Sequence, residues 1–248
     1  MYITDNMLYY SFVERLWDRR IDERVPLQYL TCCAFWRDMV LSVGPGVLIP
    51  RPETELMVDF VQDAVKHTPE LALGEWADLG TGSGALAVAL ARALPDCPRV
   101  YAADIQPEPL EFASFNASKY SVGNRVKVVE SNWYEGLQHA GVASLAGIVS
   151  NPPYIVADTI PTLQAEVVVH EPVTALDGGK DLAVDSLMPI CTGASDMLRA
   201  GGFLALETAG GEQAQYVAHV LENLATFDDI TIKKDLRGVE RFVTASRR

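Results

Sequence analysis

The sequence predicts an α/β protein built on a mostly parallel seven-stranded sheet that ends in an antiparallel hairpin. Three observations predict this fold class. Short apolar runs typical of buried strands alternate with segments whose apolar residues recur at helical spacing. The first strand of this series runs through a glycine-rich turn into a helical segment, which is how a β-α-β unit begins. The last two apolar runs have no helical segment between them, so we expect them to pair as a hairpin.

The elements follow from these patterns in chain order. A short N-terminal helix over residues 8–20 and a β-hairpin are expected to form an appendage of residues 1–48, and residues 49–248 to form the main domain. The predicted strands are residues 76–79, 99–103, 125–129, 145–150, 203–207, 230–232 and 241–245. The predicted helices of the main domain are residues 54–67, a segment that begins after residue 84, and residues 107–120, 185–198 and 211–224. We expect residues 132–137 to be loop, and a long polar loop to run from the strand at 145–150 to residue 179.

A cofactor-binding turn is predicted where the chain reads Gly80-Thr81-Gly82-Ser83-Gly84. Glycines let the backbone take positive φ and approach a ligand closely, and the helix that follows presents unpaired N–H groups. The spacing is G-x-G-x-G after an acidic Asp78. This fits the carboxypropyl and ribose parts of S-adenosylmethionine better than a pyrophosphate, which favours G-x-G-x-x-G. The alternative interpretation is a plain tight turn.

Two further residues are expected at the same edge of the sheet. Asp104 ends the second predicted strand, where nucleotide-binding α/β folds hold a ribose diol, although it could instead cap the helix that begins at Pro107. Trp133 follows the third predicted strand and offers a ring on which an adenine could stack, the alternative being an ordinary core tryptophan. Because ligands of open α/β sheets lie outside the carboxyl ends of the strands, these residues and the glycine-rich turn should share one site. The pattern indicates a Rossmann-like methyltransferase fold that uses S-adenosylmethionine.

The acceptor site is predicted at Asn151-Pro152-Pro153-Tyr154, directly after an apolar strand. The side-chain carbonyl of Asn151 and the main-chain carbonyl of Pro152 can accept both N–H bonds of a planar amide or exocyclic amine. Such a nitrogen is a poor nucleophile, so holding its lone pair toward a methyl donor is the main task. Consecutive prolines stiffen the loop, and the ring of Tyr154 offers a flat wall for the planar group. The alternative interpretation is a proline-rich turn between strand and helix.

Composition favours one enzyme domain with a small appendage. The chain has 248 residues and a net charge of −13, and it lacks the basic stripe typical of a nucleic-acid binder. The acidic charge suits a basic protein partner, the alternative being that it serves only solubility. No apolar stretch of membrane-spanning length and no secretory signal are visible, so we expect no membrane association. Cys32, Cys33, Cys97 and Cys191 show no C-x-x-C spacing. We therefore expect neither a metal site nor a disulfide, and a reducing compartment, cytoplasmic or the matrix of an organelle such as a plastid.

Several segments resemble the release factor glutamine methyltransferases, the PrmC/HemK family. They are residues 48–55 (Leu-Ile-Pro-Arg-Pro-Glu-Thr-Glu), 78–84 (Asp-Leu-Gly-Thr-Gly-Ser-Gly), 148–154 (Ile-Val-Ser-Asn-Pro-Pro-Tyr), 170–172 (His-Glu-Pro) and 175–179 (Ala-Leu-Asp-Gly-Gly). Their order and spacing are similar to the family's over nearly the whole chain from about residue 26, and the hairpin before the first segment resembles cyanobacterial or plastid members.

The resemblance implies methyl transfer from S-adenosylmethionine to the amide of the glutamine in the Gly-Gly-Gln loop of peptide chain release factors, which act in translation termination. Carried over by position, residues 80–84, Asp104 and Trp133 would bind the cofactor, and Asn151 would lie close to the methyl group. Residues 151–154 would bind the glutamine, with Asn151, Pro152 and Tyr154 orienting its amide for attack.

Three departures from the family pattern have consequences. The family has an N-terminal domain of several helices that docks the release factor, whereas about one helix precedes the hairpin here, so we expect a truncated docking region. Asn132 replaces the Asp that often precedes the tryptophan, which removes a charge near the adenine and alters cofactor affinity. Thr31-Cys32-Cys33 replaces a Thr-Gly turn, which affects a hairpin rather than the chemistry.

Direct in-line displacement is the expected chemistry, and it needs neither a metal nor a covalent intermediate. His170 and Glu171 are interpreted as loop caps, with proton acceptance as the alternative. Arg51 and Glu55 either shape the mouth of the site or form an ion pair that fixes the helix start. Two other functions use the same residues: an adenine-N6 methyltransferase that takes a flipped base, and a non-catalytic scaffold that binds the cofactor.

Overall fold

The computed structural model describes the backbone of residues 2–248 and the side chains of residues 11–137 and 140–248. Its strands are β1 (Cys33–Trp36), β2 (Met39–Ser42), β3 (Trp76–Leu79), β4 (Val100–Asp104), β5 (Val126–Glu130), β6 (Leu145–Ser150), β7 (Ile155–Val156), β8 (Asp177–Gly179), β9 (Leu198–Glu207), β10 (Phe227–Lys234) and β11 (Glu240–Arg247). Its α-helices are α1 (Tyr2–Asp22), α2 (Leu27–Leu30), α3 (Leu56–His67), α4 (Ala85–Ala93), α5 (Pro107–Lys119), α6 (Ala165–His170), α7 (Leu187–Met197) and α8 (Glu212–Leu224). Short 3₁₀ turns span Glu53–Glu55, Pro69–Leu73, Glu135–Ala140, Ala157–Thr162 and Val173–Ala175.

The main sheet has seven strands in the order β10-β11-β9-β6-β3-β4-β5. Strands β9, β6, β3, β4 and β5 are parallel, while β11 runs antiparallel to β9 and β10 antiparallel to β11. The predicted parallel sheet with a closing antiparallel hairpin is therefore confirmed. The chain runs from β3 to β4 and β5 on one side and then crosses back to β6 on the other side of β3, so the strand order reverses at β3. A crevice at the carboxyl ends of the strands is expected at such a point.

The central strands are buried on both faces, which is why they read as continuous apolar runs. Every residue of β3 and of β6 is buried. One face of the sheet packs against α3, α4 and α5 and the other against α7 and α8. The ring of Trp76 lies directly over Gly147 on the neighbouring strand, where a Cβ atom would come within 2.2 Å of the ring. Gly147 is thus required by the close approach of this ring.

The N-terminal hairpin β1–β2 packs on the main domain rather than standing apart. The side chain of Asn116, which is fully buried on α5, accepts the backbone N–H of Ser42 at 2.8 Å. Its Nδ2 donates to the carbonyl of Ser42 at 3.0 Å and to that of Ser83 at 2.8 Å, so one amide joins the hairpin to the glycine-rich turn. The predicted helix and hairpin are both present, whereas the division of the chain after residue 48 into two functional regions stays a prediction.

The end of α1 is attached to the segment that follows β7. Glu166 on α6 accepts hydrogen bonds from Nη1 of Arg20 at 2.8 Å and from Nε and Nη2 of Arg24, at 3.0 and 2.8 Å. The ring of His170 lies 2.8 Å from the carbonyl of Glu23, which continues the same contact. These bonds fix α1 relative to the part of the chain that was predicted to be loop.

That loop prediction is wrong. Residues 155–179 contain the two-residue strand β7, two 3₁₀ turns, helix α6 and strand β8, and β7 pairs with β8 in a small parallel sheet. These elements are too short to show a clear apolar periodicity, which is why the sequence pattern missed them. Residues 132–137 likewise include the start of a 3₁₀ turn rather than loop alone. Pro189 is tolerated in α7 because it lies in the first turn, where its N–H has no intrahelical partner.

Among the helices that the structure describes, none combines the length and apolar character that crossing a bilayer would require.

Candidate active site

A cleft of about 1130 Å³ opens at the carboxyl ends of the central strands. Most of the predicted site residues line it, namely Gly80, Thr81, Gly82, Ser83, Asp104, Trp133, Asn151 and Pro153. Pro152 and Tyr154 instead line a smaller pocket of about 290 Å³, which also shares residues with the cleft. Of the predicted residues, Gly84 alone lies outside both linings.

Packing between two helices explains why residue 84 is a glycine. It begins α4 at a φ of +80°, which favours glycine, and a Cβ atom there would come within 2.9 Å of the Ala113 backbone on α5. The third glycine of the turn therefore lets two helices approach each other. Its assignment to the cofactor stays a prediction.

The glycine-rich turn is held by the neighbouring strand. The backbone N–H groups of Gly80 and Thr81 both donate to the carbonyl of Ala103 at 2.9 Å. Gly82, at a φ of +54°, donates its N–H to Oδ2 of Asp104 at 3.0 Å. The turn is thus fixed before any ligand enters, and its shape depends on the acid at the end of β4.

Asp104 lies both in the cleft and at the entry into α5, and its assignment to a ribose stays a prediction. Its Oδ1 accepts the N–H of Gln106 at 3.2 Å, which shapes the entry into α5, while the same carboxyl lines the cleft. Burial raises the pKa of Asp104, and hydrogen bonds from the backbone N–H groups oppose this rise. Structural support of the helix entry and exposure to a ligand are thus combined in one side chain.

Asp78 is a second buried acid in the cleft that the sequence analysis noted but did not assign to the site. It is 1% exposed, and its Oδ2 accepts the hydroxyl of Thr81 at 2.6 Å and the N–H of Ala87 at 3.0 Å. Its Oδ1 accepts no hydrogen bond from any residue that the structure describes. Burial raises the pKa of Asp78 to about 7. A buried, unpaired carboxylate oxygen is costly unless a ligand supplies a donor or a positive charge.

Trp133 is half-buried and packs against the hydrophobic core while it also lines the cleft, so its role in cofactor binding stays a prediction. Its backbone has a φ of +51°, and its ring lies 3.8 Å from the position that a Cβ atom on Gly80 would take. The hydroxyl of Ser131 donates to the Trp133 carbonyl at 2.7 Å and accepts the Gly136 N–H at 2.8 Å, which fixes this turn. Beside it, Nδ2 of Asn132 donates to Glu135 at 3.1 Å. The ring therefore borders the cleft beside the glycine-rich turn.

Two residues that the sequence analysis did not assign to the site fix the side chains at residues 151–154. Nδ2 of Asn151 donates to Oγ1 of Thr54 at 3.1 Å, and the Thr54 hydroxyl donates to Oε2 of Glu207 at 2.6 Å. The hydroxyl of Tyr154 donates to Oε1 of the same glutamate at 2.9 Å. Glu207 is the last residue of β9, and a charged residue at the end of an apolar strand was the one signal that could have found it.

Arg51 pairs with a different acid from the one predicted. Its guanidinium lies 2.9 and 3.0 Å from the two oxygens of Glu171, whose second oxygen also accepts the N–H of Ile49 at 3.3 Å. Glu55 instead accepts the N–H of Arg37 at 2.9 Å, so the ion-pair alternative for Arg51 and Glu55 is wrong, while Arg51 itself lines the cleft. Burial raises the pKa of Glu171 although Arg51 opposes the rise. The structural interpretation of Glu171 fits these contacts better than a proton acceptor does.

Within the described side chains, no group of three or more His, Cys, Asp or Glu residues is arranged to hold a metal ion.

A family model described as "Methyltransferase small domain" matches residues 54–186. The chain is 41% identical over 234 residues to the release factor glutamine methyltransferase of Synechocystis sp., an alignment that covers 94% of this chain and 77% of the relative. It is 43% identical over 228 residues to the enzyme of the same name from Gloeobacter violaceus, with 92% and 77% covered.

Solved structures show the same fold at low identity. The hMettl16 catalytic domain in complex with the MAT2A 3'UTR hairpin 6 aligns with a TM-score of 0.62 at 16% identity, over 84% of this chain and 75% of the other. The N-terminal domain of human METTL16 in complex with SAH aligns with a TM-score of 0.56 at 17% identity, over the same 84% and 75%. These likenesses confirm the predicted class of fold and carry no further conclusion.

Proposed function

This chain belongs to the family of release factor glutamine methyltransferases, and from that premise we propose that it methylates a glutamine side chain of a peptide chain release factor. The methyl donor is S-adenosylmethionine, and the acceptor is the amide nitrogen of the glutamine in a Gly-Gly-Gln loop. The products are N5-methylglutamine and S-adenosylhomocysteine. We also propose roles for the individual residues of the site.

One observation carries the proposal: Asn151 borders both the large cleft and the small pocket beside it. The cleft has the glycine-rich wall that a nucleoside cofactor needs, whereas the smaller pocket is lined by Pro152 and Tyr154 beside Asn151. A group held by Asn151 is therefore at the boundary between the two, where a methyl group can pass from one to the other.

The cleft also fits the charge of the cofactor. S-adenosylmethionine is cationic at its ammonium and sulfonium groups, and when bound it supplies an activated methyl group to a nucleophile. Asp78 offers the unpaired buried oxygen that such a cation would satisfy. We propose that Asp104 binds the ribose diol, that the ring of Trp133 stacks on the adenine, and that residues 80–84 contact the rest of the nucleoside.

The substrate amide is oriented by acceptors rather than by a base. Because Nδ2 of Asn151 donates to Thr54, its Oδ1 is left to accept one N–H of the glutamine amide. The Pro152 carbonyl accepts the other, and the ring of Tyr154, which Glu207 holds by its hydroxyl, limits rotation of the planar group. With both N–H bonds held, the lone pair faces the cleft. Once the nitrogen is methylated its proton is acidic and leaves to water.

We further propose that residues 1–48 dock the release factor while residues 49–248 perform the transfer. Val13, Trp17 and Ile21 recur every fourth residue along α1, and all three are exposed, so they form one apolar stripe. Arg20 in the last turn of α1 and Arg24 just after it both pair with Glu166, on the segment that leads to the lining of the cleft. A release factor bound to this stripe would thus contact the same segment that borders the active site.

The experiment is mass spectrometry of an intact release factor after incubation with the purified protein and S-adenosylmethionine. We expect one added methyl group on the loop glutamine. The variant Asn151→Ala should abolish the product, while Asn223→Ala, on the exposed surface of α8, should leave it unchanged. Parallel incubations replace the release factor with DNA and with RNA.

The other outcomes contradict the proposal in different ways. Methylation of nucleic acid alone would replace it with the adenine-N6 activity. Tight binding of S-adenosylmethionine without methylation of any of these substrates would favour the non-catalytic scaffold.

A further inference from the structure

Glu207 is a buried acid whose role in the proposed mechanism is to hold the hydroxyl of Tyr154. It is 1% exposed at the carboxyl end of β9 and has two hydrogen-bond donors, Thr54 at 2.6 Å and Tyr154 at 2.9 Å. Both partners lead to the acceptor site, because Thr54 accepts the amide of Asn151 at 3.1 Å. One carboxylate is therefore connected to the two side chains that would contact the substrate amide.

The direction of each hydrogen bond follows from the donors available. An ionised carboxylate can only accept, so the single hydroxyl proton of Thr54 must go to Glu207. The Thr54 oxygen can then only accept, and the group that donates to it must be the NH₂ end of Asn151. The carbonyl end of Asn151 is left for the substrate. The charge on Glu207 thus determines, through two successive hydrogen bonds, which end of the Asn151 amide faces the substrate.

We propose that Glu207 is a positioning residue whose ionised carboxylate, acting through Thr54, orients the Asn151 amide so that its oxygen faces the substrate nitrogen. This inference rests on the proposed function of Asn151. If Glu207 carried a proton it could donate to Thr54, and Thr54 could then donate to the oxygen of Asn151. The NH₂ group of Asn151 would then face the NH₂ group of the substrate amide, and two hydrogen-bond donors cannot bond to each other.

Activity is therefore expected to require the charged form of Glu207. Burial raises the pKa of Glu207, while the bonds from Thr54 and Tyr154 and the charge of Arg241 on β11 oppose that rise. Glu53, in the turn before α3, is the charged neighbour that adds to it. Because the ionised form is the active one, methylation should fall as the pH drops through a pKa above that of an ordinary glutamate.

The test compares wild-type protein with E207Q, T54V, the double variant and T54S, using an intact release factor as substrate. We expect kcat/KM to fall by roughly 10- to 100-fold in E207Q and in T54V, the cost of losing one oriented hydrogen bond, while the Kd for S-adenosylmethionine changes little. The double variant should be no worse than the poorer single variant, because both changes interrupt one path. T54S keeps the hydroxyl and should behave as wild type. The acid limb of the pH profile should disappear in E207Q.

A second readout does not depend on activity. The side-chain amide protons of Asn151, assigned in NMR spectra by their absence from N151A, should be slow to exchange with water in the wild type and faster in both T54V and E207Q. If wild-type protein methylates nothing but these protons behave as stated, the proposed function fails and the orientation by Glu207 stands. The inference would be overturned if E207Q kept the wild-type kcat/KM, or if the effects of E207Q and T54V multiplied in the double variant. An acid limb that is unchanged in E207Q would overturn it too. Should E207Q fail to fold, equal activity of T54V and T54S would overturn it as well.

Discussion

Asp78 and Thr81 form a 2.6 Å hydrogen bond at the base of the cleft, and this bond occupies only one oxygen of the Asp78 carboxylate. That oxygen also accepts the N–H of Ala87, whereas the other accepts none from the residues that the structure describes. A buried carboxylate with hydrogen bonds to only one of its oxygens is suited to bind a cation through the other. The first two predictions concern this group.

Asp78→Asn should weaken binding of S-adenosylmethionine by about tenfold or more at pH 8, because a neutral amide replaces the charge that faces the cationic ligand. Isothermal titration calorimetry measures the Kd. Asp96→Asn, in an exposed turn, is the matched control and should leave the Kd unchanged. Equal affinity of wild type and Asp78→Asn would rule out a contact between this carboxylate and the ligand.

The same residue should make the stability of the ligand-free protein depend on pH. Burial raises the pKa of Asp78 from 3.8 to about 7, so between these values the folded protein binds more protons than the unfolded chain. The stability that Asp78 contributes is then full below its unfolded pKa and is lost as the pH rises through about 7. Thermal melts at pH 4 to 8 should show wild type losing stability relative to Asp78→Asn across this window. A difference that does not change with pH would mean that Asp78 is already charged in the folded state at pH 4.

Trp133→Ala should raise the Kd for S-adenosylmethionine by about 5- to 100-fold, the range typical of a lost base-on-aromatic stack. Trp133→Phe, which keeps a smaller ring, should lose less. Quenching of tryptophan fluorescence on titration with the cofactor reports the same contact and should be absent from Trp133→Ala. Trp17→Ala, on the exposed surface of α1, controls for the loss of a tryptophan. If Trp133→Ala binds as tightly as wild type, the adenine lies elsewhere.

Arg51→Met should destabilise the protein by about 1–3 kcal/mol, because Glu171 is 5% exposed and would be left buried without its partner. Adding Glu171→Gln should restore part of that loss. Urea unfolding measures both. Lys66→Met, which breaks an exposed pair with Asp63, should cost much less, because water screens that pair. A cost for Arg51→Met no larger than for Lys66→Met would show that water still reaches Glu171.

Trp17→Ala should raise KM for an intact release factor by about tenfold, the loss expected for one exposed aromatic anchor, and leave kcat unchanged. A short peptide that contains Gly-Gly-Gln cannot reach α1, so its methylation should be the same in both proteins. Steady-state kinetics with the two substrates separates docking from catalysis. Equal KM values for the release factor would remove the stripe of Val13, Trp17 and Ile21 from the docking surface.

Much of the site could be predicted because its elements are local in sequence. The turn at residues 80–84 follows β3 directly, and Asn151 follows β6, so a strand and its first loop residues are enough to place each at the carboxyl edge of the sheet. The error at residues 155–179 has the opposite cause. Strand β7 and helix α6 are formed by contacts with β8 and with α1, and no periodic pattern records such contacts.

The sequence by itself determined the parallel sheet, its closing hairpin, the glycine-rich turn and the loop at residues 151–154, because each follows from apolar spacing or from the backbone preferences of glycine and proline. Only the tertiary structure decided which groups support them. Asn151 is 97 residues from Thr54, Thr54 is 153 from Glu207, and Arg51 is 120 from Glu171. These partners meet because the order of the strands brings segments that are far apart in the sequence to one edge of the sheet. A polar group buried there must find a partner within hydrogen-bonding distance.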